Sequence, residues 1–263
     1  MHKKILLAYI NTVNMWFLHQ ICHTSDINEL SCFSCKIDDM SLYSFLRTLR
    51  PEYQAIEIER LIVGNNSKTV LDLGCGSNSN LKFFKDKIEY SVGIDVCKSD
   101  LDISKNHHIH NKYILDDVMN VDKYYSVKSF DCIIAIGLVE HLEKKQSLKL
   151  MEKMEKIARK LIVIGTPNGF ISQEEYDNNP YQVHKSGFTL SDFTSRKYKV
   201  LGMDGLKMLR GENAKIKYKP EVLFSIITNL IDPLLRPFPK ISFNLLAYKH
   251  LNTHENVTDL PLH

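Results

Sequence analysis

Residues Val70 to Ser77 read VLDLGCGS, and this octet decides the fold. An apolar run stops on two glycines around one cysteine. That pattern predicts a short buried strand entering a loop with little side-chain bulk, where backbone N–H groups approach a ligand closely. Asp72 stands inside the apolar run. A buried carboxylate is expensive without a partner, so the octet predicts a cationic or hydrogen-bonding ligand beside it.

The octet has to be weighed against the dinucleotide fingerprint G-x-G-x-x-G. Gly74 and Gly76 fit it, but Ser79 holds the third glycine's place, and an acid at Asp72 is foreign to that fingerprint. The chain beyond the octet alternates strand and helix signals. Asn80–Lys87 is expected to form the first crossover helix, with Leu81 and Phe84 on the sheet. Ser91–Val96 is a strand ending on Asp95, where a carboxylate can accept both ribose hydroxyls of an adenosine, whichever cofactor carries it. Lys98–Asn111, with His107, His108 and His110, reads as a solvated loop. Ser129–Gly137 is a near-continuous apolar run of the kind buried on both faces. Lys160–Gly165, Lys197–Met203 and Ile241–Tyr248 read as the remaining strands, and Lys145–Lys160 as an amphipathic helix whose methionines are core.

VLDLGCGS resembles the first motif of the class I methyltransferases that use S-adenosylmethionine. Three later segments resemble that family's motifs in the same order: Ser91–Val96 its second strand ending on an acid, Asn111–Val118 its third-strand motif, and Leu138-Val-Glu140-His141-Leu142 the small-molecule pattern after the fourth strand. The resemblance spans about residues 68–249. It implies an α/β, Rossmann-like fold: a seven-stranded, mostly parallel sheet with helices on both faces, the last strand antiparallel, and an N-terminal helical extension. It also implies a cofactor set. Gly74, Cys75 and Gly76 would lie at the methionine end, with Asp72 toward its amino group. Asp95 and Val96 would serve the ribose. Asp117, with Asp116 as the alternative, would meet the adenine amino group beside the N–H of Val118. Ile136 would close the set at the end of the fourth strand.

In open α/β sheets ligands bind beyond the carboxyl ends of the strands, which places Leu138–Leu142 beside the reacting methyl. His141 is a candidate general base, because imidazole titrates near neutrality; a structural histidine at a helix start is the equal alternative. The Asn/Asp-Pro-Pro-aromatic signature of amino-group DNA or glutamine methyltransferases is missing, as is a Pro-Cys nucleophile. Residues 173–188 are dense in polar and aromatic side chains and resemble a bacterial and archaeal subgroup of type 11 methyltransferases. Loops on a rigid scaffold carry function, so this stretch reads as the acceptor loop. Gln173, Tyr176 and Tyr181 are its substrate contacts, and His184 is a second candidate base.

Composition excludes little. Of 263 residues, 44% are hydrophobic and the net charge is +3, so no polyanion partner and no nucleic acid is expected. Six irregularly spaced cysteines fit a reducing cytoplasm better than a disulfide framework. Cys32-Phe-Ser-Cys35, with Cys22, His19 and His23 upstream, offers too few well-spaced ligands for zinc, and no metal is expected. Three segments are expected: an N-terminal extension over residues 1–63, a methyltransferase domain over 64–250 with an insertion at 207–240, and a disordered tail over 251–263. The apolar run Val222–Ile231 is too short to span a bilayer. It is expected to pack on the domain, then, in descending order, to form a homodimer face or rest on a membrane surface. The function expected is O-methylation of a small molecule or a glycan or lipid precursor. A non-catalytic cofactor-binding protein is the alternative, and a nicotinamide-dependent oxidoreductase the third.

Overall fold

Short runs of β-branched and aliphatic residues, broken by polar turns, build one sheet. The structure is a computed structural model that describes residues 52–175, 179–211 and 214–251. The readings placed on 1–51, on Tyr176 and on 252–263 lie outside the described residues. Seven strands pair as β1 (Thr69–Leu73), β2 (Tyr90–Asp95), β3 (Lys112–Leu115), β4 (Phe130–Ile136), β5 (Ala158–Pro167), β6 (Lys199–Leu206) and β7 (Ser242–His250). Their order is β3-β2-β1-β4-β5-β7-β6. β1 to β5 run parallel, and β7 is antiparallel to both β5 and β6. The expected fold class is therefore what the chain adopts. The order reverses between β1 and β4, where a crevice opens beyond the strand ends.

Strand alternation splits the core in two. Leu71 and Leu73 of β1 join one cluster with Leu150, Met151, Met154 and Ile157 of α3 (Lys144–Ile157). Val70 belongs to the other, with Ile58, Leu61 and Ile62 of α1 (Tyr53–Gly64). The methionine stripe is core, as its spacing predicts. α3 opens on a reciprocal cap, in which Glu143 receives the third N–H of the helix and Gln146 returns to the Glu143 N–H.

Two expectations are corrected. Residues 80–87 form two 3₁₀ turns, Asn80–Phe83 and Lys85–Lys87, not one helix. Burying Leu81 and Phe84 within four residues needs only tight turns. The polar stretch after β2 is no solvated loop. It forms α2 (Lys98–Asn106), which buries Leu101 and Ser104, and the chain beyond turns His110 into the interior at 6% exposure. Apolar spacing missed this because the helix buries one leucine among polar residues.

The insertion packs on the domain, the first of the three readings. Its helix α5 (Glu221–Leu235) lies on β6 and buries Thr228, Asp232 and Leu235. The Asp232 carboxylate accepts the Gly205 N–H at 2.6 Å, and Arg236 pairs with the buried Glu57 of α1. Leu223, Leu230 and Leu234 of α5 face outward. Between β5 and β6 lies α4 (Leu190–Thr194), capped by Thr189.

Candidate active site

The glycine loop starts where β1 ends. Gly74 and Gly76 both have positive φ, +65° and +54°, which glycine adopts without strain. A Cβ on Gly74 would stand 2.7 Å from Leu138 Cδ1, whereas one on Gly76 would meet nothing within 4 Å. The first glycine is required by the loop packing against the turn after β4. The second opens onto free space.

Asp72 is only 2% exposed, but protein groups meet it. Its Oδ2 accepts the Ser79 hydroxyl at 2.5 Å and contacts His110 Nε2 at 3.0 Å. The expectation that a ligand alone compensates this carboxylate is corrected. Ser79 had counted only as a flaw in a glycine pattern, and His110 only as part of a loop. Their signal was chemical, since a buried acid demands a donor, but nothing in the spacing said which of three nearby histidines would supply it.

Asp95 ends β2 and holds the loop from the other side. Its Oδ2 accepts the Gly76 N–H and its Oδ1 the Cys97 N–H, each at 2.8 Å. Burial pushes its carboxyl above the ordinary range, with Asp100 and Asp72 adding to the rise and the two N–H donors opposing it. Burial also raises the Cys75 thiol, helped by Asp72, so Cys75 is a neutral lining group. Asp117 is exposed after β3 and caps the 3₁₀ turn Val118–Lys123 by accepting the Met119 N–H. Asp116 is occupied by Asn120 and the Tyr124 hydroxyl.

Two adjoining cavities occupy the crevice. One, of about 400 Å³, is lined by Asp72, Gly74, Cys75, Gly76 and Ile136 of the expected set. Ser79, Asn80, Ser99, Asp100, Asn179 and Gln182 also line it, and sequence reasoning had given none of them a role there. Asp95, Val96, Asp117 and Val118 stand at the neighbouring strand ends and do not line this cavity. The second cavity, about 610 Å³, shares Ile136, Gly137 and Gln182 with the first and adds Gln54, Glu140, His141, Thr166, Gln173 and His184. Gln54, at the start of α1, bonds Asn80 at 3.3 Å and brings that helix to the mouth of both. Tyr181 is 51% exposed and lines neither cavity.

The loop after β5 roofs this second cavity because backbone bonds hold it. Lys185 and Ser186 donate their N–H groups to the Glu140 carbonyl at 2.8 and 3.1 Å, and His184 N–H bonds the Gln173 carbonyl. Gln173 Nε2 donates to the Gln182 carbonyl at 2.9 Å, and Asn179 reaches Asp100 on α2. Two histidines 43 residues apart thereby meet, with His141 and His184 ring centroids 4.8 Å apart. His141 Nδ1 lies 3.2 Å from the Val183 carbonyl and His184 Nδ1 2.7 Å from the Ile171 carbonyl. A carbonyl accepts, so Nδ1 is the donor in each ring and Nε2 is the atom left outside these bonds. Burial lowers His141 to about 4, which makes it neutral at pH 7 and a weak base. Glu140 is 4% exposed, and burial pushes its carboxyl up to about 7.

A doubly wound sheet with a glycine loop at its switch point, acids at the ends of β1 to β3 and a second cavity beside β4 defines a class I methyltransferase that uses S-adenosylmethionine. The chain belongs to the family described as "Methyltransferase domain", whose model matches residues 46–201, more than half of it. It is 22% identical over 175 residues to an uncharacterised protein of Methanocaldococcus jannaschii, covering 66% of this chain and 73% of that one. In fold it is similar to a SAM-dependent methyltransferase from Archaeoglobus fulgidus (20% identity, TM-score 0.49, 76% and 94% of the two chains). It is also similar to the small RNA methyltransferase HEN1 (15% identity, TM-score 0.50), where it covers 76% of this chain and 25% of that one. Among the described residues no helix is long and apolar enough to cross a membrane.

Proposed function

We propose that this methyltransferase transfers the methyl group to a hydroxyl of a small molecule or of a glycan or lipid precursor. The observation that carries the reading is the pair of adjoining cavities that meet at Ile136 and Gly137, the first lined by the glycine loop and the second by two imidazole rings. The residues of the first cavity fit S-adenosylmethionine. Gly76 leaves space where a side chain would stand, and Asp72 and Asp100 set two acids along a cleft meant for a cation. When bound, the cofactor supplies an electrophilic sulfonium methyl group.

Asp72, Gly74, Cys75 and Gly76 would hold its methionine end, Asp95 and Val96 its ribose, and Asp117 and Val118 its adenine. Ile136 would border the methyl. Gln173, Tyr176 and Tyr181 are proposed to orient the acceptor. His141 and His184 would receive its hydroxyl, whose proton must leave as oxygen attacks. The loop over the cavity fixes the acceptor's approach, and that positioning supplies much of the rate.

The test is an acceptor screen with an isotopically labelled methyl donor, read by mass spectrometry, beside calorimetric titration with S-adenosylmethionine and with NAD. Binding of S-adenosylmethionine alone, together with label on an oxygen of a small acceptor, is the expected result. Label on nitrogen or on nucleic acid, or binding without turnover on any acceptor, would overturn it.

A further inference from the structure

Glu140, His141 and His184 form a cluster that a proton-transfer role leaves unexplained. One ligand atom from each lies within 4.8 Å of the others, and all three residues line the second cavity. Glu140 Oε2 is buried and makes no hydrogen bond of good geometry among the described residues, the Thr166 hydroxyl on the same cavity wall being the one side-chain donor that acts on the carboxyl. A buried, unpartnered carboxylate oxygen is costly unless something meets it. The two imidazoles are each fixed through Nδ1 by a backbone carbonyl. Metal-binding histidines are oriented in this way: the outer nitrogen donates to a carbonyl, and the inner lone pair faces the ion.

We infer that Glu140, His141 and His184 bind a divalent first-row transition cation at the wall of the acceptor cavity, with open coordination positions for an acceptor oxygen. Two imidazoles and one carboxylate suit ions from Mn²⁺ to Zn²⁺ rather than Mg²⁺ or Ca²⁺, which prefer oxygen. Ligand bonds of about 2.1 Å place neighbouring donors about 3–3.5 Å apart, so the three side chains close slightly around the ion. The protein holds them close beforehand. Glu140 and His141 are adjacent in the 3₁₀ turn Val139–His141, and the Glu140 carbonyl accepts the N–H groups of Lys185 and Ser186 in the loop that carries His184. Lys215 also lines the cavity and is exposed, so it is the competing partner for the carboxylate.

The consequence for catalysis rests on the acceptor reading above; the binding of the ion does not. An acceptor hydroxyl on the ion releases its proton to solvent more readily. Its oxygen pair then forms the bond to the methyl carbon as the carbon–sulfur bond breaks, and that pair returns to sulfur, leaving a neutral thioether.

The experiment uses the untagged full chain, stripped with a chelator and titrated with MnCl2 and separately with ZnCl2 by calorimetry, with Mn²⁺ paramagnetic resonance as a second readout. One ion per chain is expected. His184→Ala and Glu140→Gln should each weaken it at least tenfold, while S-adenosylmethionine affinity and circular dichroism stay at wild-type values. Replacing the exposed His107 and His108 by alanine should change nothing, and Lys215→Ala should not weaken the ion. No stoichiometric ion, or one indifferent to His184→Ala and Glu140→Gln, overturns the inference. S-adenosylmethionine binding and turnover by the ion-free chain would sink the catalytic role given to the ion and leave the methyl-transfer reading standing. An ion bound without any affinity for S-adenosylmethionine would do the reverse.

Discussion

Gly93 shows how tightly the cofactor cleft is built at the level of single residues. It sits opposite Asp72 in the β1–β2 ladder. A Cβ there would stand 2.7 Å from Cys75 Sγ and 3.1 Å from His110 Nδ1. Gly93→Ala should therefore push the glycine loop and the histidine that serves Asp72. A stability loss of about 1–3 kcal/mol is expected from overpacking, with a lower affinity for S-adenosylmethionine; melting and calorimetry read the two. Asp95→Ala removes a carboxylate that holds Gly76 N–H and is proposed to hold the ribose. It should weaken cofactor binding by about 1–3 kcal/mol. Unchanged affinity in a folded variant would restrict Asp95 to bracing the loop. His110 and Gly93 were invisible in the sequence, because one looked like loop and the other like an ordinary strand residue.

Among the elements, α5 is seated on β6 by direct contact between its polar underside and the strand's backbone. Gly205 has φ +80°, and a Cβ there would lie 2.1 Å from Thr228 Cγ2. Its N–H meets Asp232, so the backbone of β6 touches the helix directly. Gly205→Ala combines left-handed strain with a clash and should cost about 2–4 kcal/mol. Because α5 packs on β6 at the far edge of the sheet, cofactor affinity should persist. Chemical denaturation together with calorimetry checks both, and loss of binding in a folded variant would show that α5 supports the cleft. The apolar run of α5 was legible as a segment that packs on the domain. Its polar underside was not, because Thr228 and Asp232 look solvent-facing until β6 is beneath them.

For the molecule as a whole, the cavities lie at one end of the strands and a charge clamp closes the other. Asp131, near the start of β4, accepts the Lys68 and Thr69 N–H groups at 2.8 and 3.3 Å and pairs with Arg159 Nε at 2.9 Å. Burial raises its carboxyl, but the Lys68 N–H and the Arg159 and Lys160 cations outweigh that and hold it below the usual range. The stabilisation is therefore present above the ordinary carboxylate pKa near ~4 and is lost as pH falls through the lower folded value. Asp131→Asn should cost about 2–3 kcal/mol at pH 7, and the gap to wild type should shrink below about pH 4. Urea denaturation at pH 7 and pH 3 measures it, and a gap unchanged with pH would deny the clamp its ionic character.

The sequence by itself determined the sheet, its cofactor class and the glycine-loop wall of the first cavity. Those depend on local patterns: an apolar run ending on bare glycines, and acids where strands stop. Only the tertiary structure decided what surrounds Asp72 and what gathers at the second cavity. His110 lies 38 residues from Asp72 and His184 lies 43 from His141, and contacts over such distances depend on where loops are pinned, which no periodicity records. A buried carboxylate announces in sequence that it needs a partner, but the folded chain chooses which one.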